Sequence, residues 1–364
     1  MLDNAKISVR QFTILVFMWT VGATVLIIPS GMAAEAKQDG WIASIVGVLI
    51  GFGLVCFYNY VARIQHNRSL AKMNEDMFGT WLGKLVTLSF VIFAMITVCT
   101  LVWVFGNFLA TMIIPRTPMP YINLLFLGIV IIAVRYGIEV IGRSAEIFFP
   151  WVIGLFCFMV FAISPQIEWQ NLQPVLHTPL SAIFKAGFLF ASVASINFIV
   201  LHSFYPTAVQ QPQKARIAVW RGFGLGGMMM ILLTFLALSV LGVDLTSRHL
   251  FPSYILAKKI NIGEFLKRIE SIMAAIWFFT IFYKTTLYYY SAVVALAETF
   301  RIKDYRFLVL PMGLIMLVIS INVYPNTSYF LNWDGNIWPF YVSTYGLLLP
   351  IIWIVLHFVK RNKT

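Results

Sequence analysis

The chain has 364 residues, of which 60% are hydrophobic and only 11% charged, whereas ordinary globular chains are roughly 45–50% apolar and about 25% charged. That balance excludes a soluble domain and points to an all-α polytopic membrane protein. The net charge of +12 does not mark a nucleic-acid partner, because the basic residues are scattered through short polar segments rather than gathered on one face.

Apolar runs recur along the chain at 12–34, 41–61, 85–114, 121–134, 147–163, 186–204, 222–243, 271–297, 307–323 and 338–359. They predict ten transmembrane helices in a single transmembrane domain over 1–364. The fourth run is short against the roughly 20 residues that a span normally needs. Charge supports it. With the N-terminus inside, seventeen basic residues fall inside and eight outside, as the positive-inside rule requires. Deleting the fourth run would put Arg135 and Arg143 outside and invert everything after them. Both termini are therefore expected to be cytoplasmic. The first ten residues are polar and the run behind them is too long for a signal-peptide core, so it is expected to be a retained span. Cys56, Cys99 and Cys157 lie in apolar runs without metal or disulfide spacing. No metal and no cofactor is expected.

The first run carries its own breaker. Gly22 weakens a helix, Thr24 is β-branched, and Pro29 lacks an N–H and disfavours helical geometry at Ile28. The result is either a mild kink or an unwound segment at Gly22, Ala23 and Thr24, and an unwound segment is tolerated only where it faces protein or a water-lined cavity. In the third run Thr97 and Thr100 share a face. Their hydroxyls either line a site or bond their own helix backbone.

Run six holds Ser192, Ser195 and Asn197 among small residues. Such residues serve close helix packing or a second break. Runs one and six open two successive sets of five, and paired interruptions at corresponding places point to inverted repeats, about 11–164 and 180–360, with a site at the midplane. Freed N–H groups near Gly22 suit a carboxylate, and carbonyls and hydroxyls near Ser192 and Ser195 suit an ammonium. A ligand with both groups is an α-amino acid.

Two longer segments, 164–185 and 244–270, are expected outside, the second with an interfacial helix at 251–260 behind Pro252. In run eight Lys284 lies roughly 20 Å from either end at about 1.5 Å rise per residue, too deep for easy snorkelling. It is either solvated by a cavity or a fixed cation that holds the broken helix-one carbonyls in place of a coupling ion. Arg268 and Glu270, at the outer start of that run, form a gate or simply a helix-end charge pattern. There is no H-E-x-x-H, G-x-S-x-G or Walker loop, and His202 has no acidic or serine partner at usable spacing. An enzyme is not expected.

Several short motifs occur in order: P-x9-D-G-W from Pro29 to Trp41, R-T-P at Arg116 to Pro118, F-P at Phe149 and Pro150, N-L-x-P-V-L from Asn171 to Leu176, and R-x-E-S from Arg268 with Trp277 beyond it. Together they resemble the B subunit of spore germinant receptors, in the amino acid/polyamine/organocation superfamily. The resemblance implies a leucine-transporter-type fold of five plus five helices, with helices one and six broken. It also implies a place in the inner spore membrane, A and C receptor subunits as partners, and a small nutrient germinant. The positions that match the family's pocket are Gly22, Ala23, Thr24, Thr97, Ser195, Asn197, Tyr283 and Lys284. This chain departs from the family where Gly22-Ala23-Thr24 replaces G-A-G and where Lys284 replaces a small hydroxylated residue. The expected function is a germinant-sensing membrane subunit. The alternatives are an amino acid permease, proton-coupled or ion-independent, and a ligand-gated conduit for ions or water.

Overall fold

The computed structural model describes residues 6–65, 68–260 and 270–361. All ten apolar runs are helical. The first is two helices, α1 (Val9–Val21) and α2 (Thr24–Ala36), separated at Gly22 and Ala23. Then follow α3 (Gly40–Gln65), α4 (Leu70–Phe78), α5 (Thr80–Phe108), α6 (Met119–Tyr136) and α7 (Ile138–Ile163). The sixth run contains α8 (Leu180–Ala194) and α9 (Ile199–His202), and a short helix, α10 (Tyr205–Ala208), follows. Beyond it lie α11 (Pro212–Arg248), α12 (Pro252–Lys258), α13 (Glu270–Thr299) and α14 (Arg306–Asn322). The last run, preceded by α15 (Thr327–Asn332), contains α16 (Trp338–Ser343) and α17 (Leu349–Arg361), and the three are joined by wide π turns at Trp333–Ile337 and Thr344–Leu348.

Among the described residues, seven helical stretches are long and apolar enough to cross a membrane, and α1 and α14 are shorter apolar helices. Large apolar side chains such as Leu125, Phe161, Phe184 and Phe307 point outward, as lipid contact requires. The chain is a multi-pass membrane protein.

Small residues set the packing. α1 lies on α11, where a Cβ at Gly222 would come within 2.5 Å of Thr13 O and one at Gly226 within 2.8 Å of Thr20 Cβ. α8 lies on α3 in the same manner, with a Cβ at Gly47 2.7 Å from Phe190 and one at Gly187 2.9 Å from Val46. Without glycine neither pair of backbones could approach so closely. α5 packs along α13, and α6 along α14.

Residues of the short sequence motifs tie one end of the bundle together. The Asp39 carboxylate accepts from the backbone N–H of Leu176 at 2.7 Å and of Thr178 at 2.9 Å, and Asn171 Nδ2 donates to Ser239 O at 3.0 Å. The segment expected as an interfacial helix is instead packed inside, as α12, against α2, α11 and α13, with Ser253, Tyr254 and Leu256 buried. The reason lies in α2. Pro29 cannot donate to Val25 O, four residues back, and Ser253 Oγ donates to that carbonyl instead, at 2.6 Å.

Candidate functional site at the two helix breaks

At Gly22 the backbone leaves the helical basin (φ 0°, ψ −109°) and α2 restarts at Thr24. The site leaves no room for a side chain, since a Cβ would sit 2.5 Å from Lys284 Cδ. The second break is at Ser195, and its carbonyls are taken up by side chains from other helices. Tyr58 Oη, on α3, lies 2.5 Å from Ile196 O and 2.6 Å from Gly346 O. Val193 O accepts from Lys284 Nζ at 2.7 Å and from Asn197 Nδ2 at 3.0 Å. Buried carbonyls freed by a break are thus satisfied from within the protein, as hydrocarbon surroundings demand.

The expected role of Lys284 changes accordingly. Its ammonium holds a carbonyl of the sixth run, not of the first, while its aliphatic stem packs on Gly22. The side chain is 2% exposed and its Nζ lies 5.4 Å from the Trp19 ring, a cation–π contact. Trp19 is fixed in turn by stacking on Tyr288 at 4.5 Å and by donating to Asn197 Oδ1 at 3.2 Å.

Beside these groups is a cavity of about 40 Å³ bordered by Ala23, Thr97, Thr100, Asn197, Lys284 and Tyr288, and also by Trp333, Asp334 and Trp338. A larger cavity of about 260 Å³ shares Ile27, Val193 and Asp334 with it and is also bordered by Ser192 and Glu35. Asp334 borders both. Its carboxylate takes no hydrogen bond or ion pair from the described residues, and no carboxylate lies within 4.0 Å of Lys284 Nζ. Tyr288 Oη and Trp338 Nε1 are buried without partners. Such groups are rare in folded proteins, and here both belong to cavity-lining residues.

Of the positions named from the sequence, Ala23, Thr97, Thr100, Asn197 and Lys284 border the small cavity. Ser192 borders the larger one. Gly22 touches the site only through the Lys284 stem, the Thr24 hydroxyl donates across the break to Thr20 O on α1, and the hydroxyls of Ser195 and Thr97 bond back to Ala191 O and Phe93 O of their own helices. Thr100 Oγ1 is 2.9 Å from Tyr324 Oη. Tyr283 is turned away, its hydroxyl donating to Ser144 Oγ at 3.0 Å on α7, because it stands one residue, about 100° of helix, from Lys284. Tyr288, four residues on, takes its place. Glu270 opens α13 and borders neither cavity, and Arg268 lies outside the described residues. His202 is packed, its ring nitrogens near Phe198 O and Tyr58 O. Among the described residues no cluster of His, Cys, Asp or Glu has metal-holding geometry.

Comparison with known proteins adds a family and a fold. Residues 6–328 match the family described as spore germination protein. The chain is 29% identical over 365 residues to spore germination protein KB of Bacillus subtilis (strain 168), covering all of this chain and 97% of that one. Its backbone superposes on Mhp1, a nucleobase-cation-symport-1 family transporter in a closed conformation with bromovinylhydantoin bound, with a TM-score of 0.67. That match has 16% identity and covers 95% of this chain and 79% of the transporter. A Na+-coupled sialic acid symporter in a substrate-bound outward-open state gives a TM-score of 0.66 at 13% identity, covering 98% and 80% of the two chains. These likenesses show a shared leucine-transporter-type fold.

Proposed function

The chain belongs to the spore germination protein family, and from that premise we propose that it is a membrane subunit of a germinant receptor whose ligand is a small amino acid. The observation that carries this reading is the opposed pair Lys284 and Asp334 on one small cavity, neither bonded to the other. A zwitterion completes both. Its carboxylate meets Lys284 Nζ, with Tyr288 Oη as a second donor, and its ammonium meets Asp334. Charge-assisted bonds of this kind are the strong ones in a low-dielectric site. This arrangement replaces the expected contact of the carboxylate with helix-one N–H groups. A cavity of about 40 Å³ holds roughly three waters at about 10–15 Å³ each, which favours the smallest amino acids in this conformation.

Ten crossings in two inverted halves, about 11–164 and 180–360, fit the packing. Exchanging the halves turns the contact of runs one and seven (α1 on α11) into that of runs six and two (α8 on α3), and returns the pairs α5–α13 and α6–α14 to themselves. An inner spore membrane location, cytoplasmic termini, and A and C subunits as partners follow from the family resemblance and the charge bias.

Transport is the second reading, favoured by the likeness to two transporters and by the larger cavity that shares Asp334 with the small one. The two readings separate in one assay. Purified protein in liposomes that binds a radiolabelled amino acid without accumulating it is a sensor. Time-dependent accumulation abolished by Asp334→Asn would make it a permease.

A further inference from the structure

A third cavity, of about 450 Å³, lies between the end of α3 and the start of α11. Each helix contributes a matching stripe: Asn59, Tyr60 and Arg63 on one side, Gln213, Arg216 and Trp220 on the other. Counted from Cys56 the α3 residues follow at three, four and seven, and the α11 residues are three, four and seven apart, which puts each stripe on one helix face. The groove has a polarity gradient. Toward the helix middles it is walled by Cys56, Ile217 and Trp220, with Trp220 stacked on Phe52 at a ring separation of 5.1 Å. Toward the α3 end and the α11 start it is walled by the two arginines and the two amides.

Arg216 Nε is buried with no hydrogen-bond partner, and among the described residues no carboxylate lies within 4.0 Å of either guanidinium. The Arg216 side chain hydrogen-bonds the Tyr205 hydroxyl, which leaves Nε without a partner, and a neutral phenol does not balance the charge. A half-buried guanidinium with an orphan N–H needs an anion, and the guanidinium fork matches phosphate oxygens in pairs. The positive end of the α11 dipole acts in the same direction. The charge bias puts this end of the bundle on the cytoplasmic side, with Tyr60 and Trp220 exposed as interfacial aromatics are.

We propose that this groove binds the phosphate of an anionic phospholipid, with Arg63 and Arg216 holding the headgroup and the Cys56, Ile217 and Trp220 wall receiving the start of its acyl chains. Inorganic phosphate shares the headgroup chemistry but leaves the apolar wall unused. Basic pockets between helices on the cytoplasmic side are known lipid-headgroup sites.

The test is thermal unfolding of delipidated protein in neutral detergent, titrated separately with phosphatidylglycerol, phosphatidylcholine and inorganic phosphate. Phosphatidylglycerol is expected to raise the midpoint saturably and phosphatidylcholine not to. R63Q/R216Q should weaken the phosphatidylglycerol response at least about tenfold, the order expected for losing charge-assisted bonds, while K214Q, which removes an exposed charge on the same face outside the groove, should respond like the wild type. If R63Q/R216Q does not fold, R63K/R216K serves, with weaker binding expected because the forks are gone. A rise with phosphate as large as with phosphatidylglycerol, lost in the same variants, keeps the anion site and assigns it to free phosphate. A phosphatidylglycerol response equal to that of phosphatidylcholine, or unchanged in the arginine variants, overturns the proposal.

Discussion

An unpaired carboxylate and an ammonium on one small cavity make Asp334 the residue whose loss a zwitterionic ligand feels most. Asp334→Asn is expected to lower affinity for a small amino acid by about 30-fold or more, since removing one partner of a buried charge pair costs roughly 2–5 kcal/mol. Isothermal titration measures it. Lys284→Met is a separate case. Methionine retains much of the stem against Gly22, and Val193 O keeps its bond from Asn197, so the fold should survive with a loss of about 1–3 kcal/mol while amino acid binding disappears. Unchanged affinity in that variant would mean that Lys284 does not reach the ligand. The two charges were unequally visible in the sequence. Lys284 stands out because an ammonium deep in an apolar run is costly. Asp334 sits in W-D-G-N, which reads as a turn because Asp-Gly is a turn pair, yet the structure winds it into a π turn that carries it to the cavity. Such wide turns are frequent at functional sites, and nothing in the local spacing announces one.

At the scale of elements, the breaks depend on side chains that reach in from other helices. Ser253→Ala leaves Val25 O without its donor and should cost about 1–3 kcal/mol, read as a lower unfolding midpoint, with a ligand-free phenotype otherwise close to the wild type. Tyr58→Phe removes the hydroxyl shared by Ile196 O and Gly346 O, and the same measurement should show a loss of similar size together with weaker ligand binding, because the sixth-run break is no longer clamped. Equal affinity at a lowered midpoint would separate the clamp from the site. Both breaks were legible from Gly22, Pro29 and the Ser195 region. Which group takes each freed carbonyl was not, since Ser253 and Tyr58 lie 228 and 138 residues from their partners and only the tertiary fold brings them together. The same distance explains why α12 read as interfacial.

For the whole molecule, the apolar runs located every long helix because a membrane span is a composition signal as well as a pattern. The close pairings α1–α11 and α8–α3 each rest on two glycines that a one-dimensional reading cannot assign to partners. The proposed ten-crossing topology predicts that Lys37→Cys, in a background whose native cysteines are replaced by alanine, reacts with a membrane-impermeant thiol reagent from outside, and that Lys303→Cys reacts only after permeabilisation. Reaction of both from one side would remove the inverted-repeat arrangement. The most direct test of a zwitterion site is equilibrium binding of glycine, alanine, larger amino acids and simple sugars to the protein in lipid nanodiscs, with Asp334→Asn and Gly22→Leu beside the wild type. Saturable binding of a small amino acid, lost in both variants, is the predicted result. Binding of an uncharged sugar, or amino acid binding that survives Asp334→Asn unchanged, would contradict it.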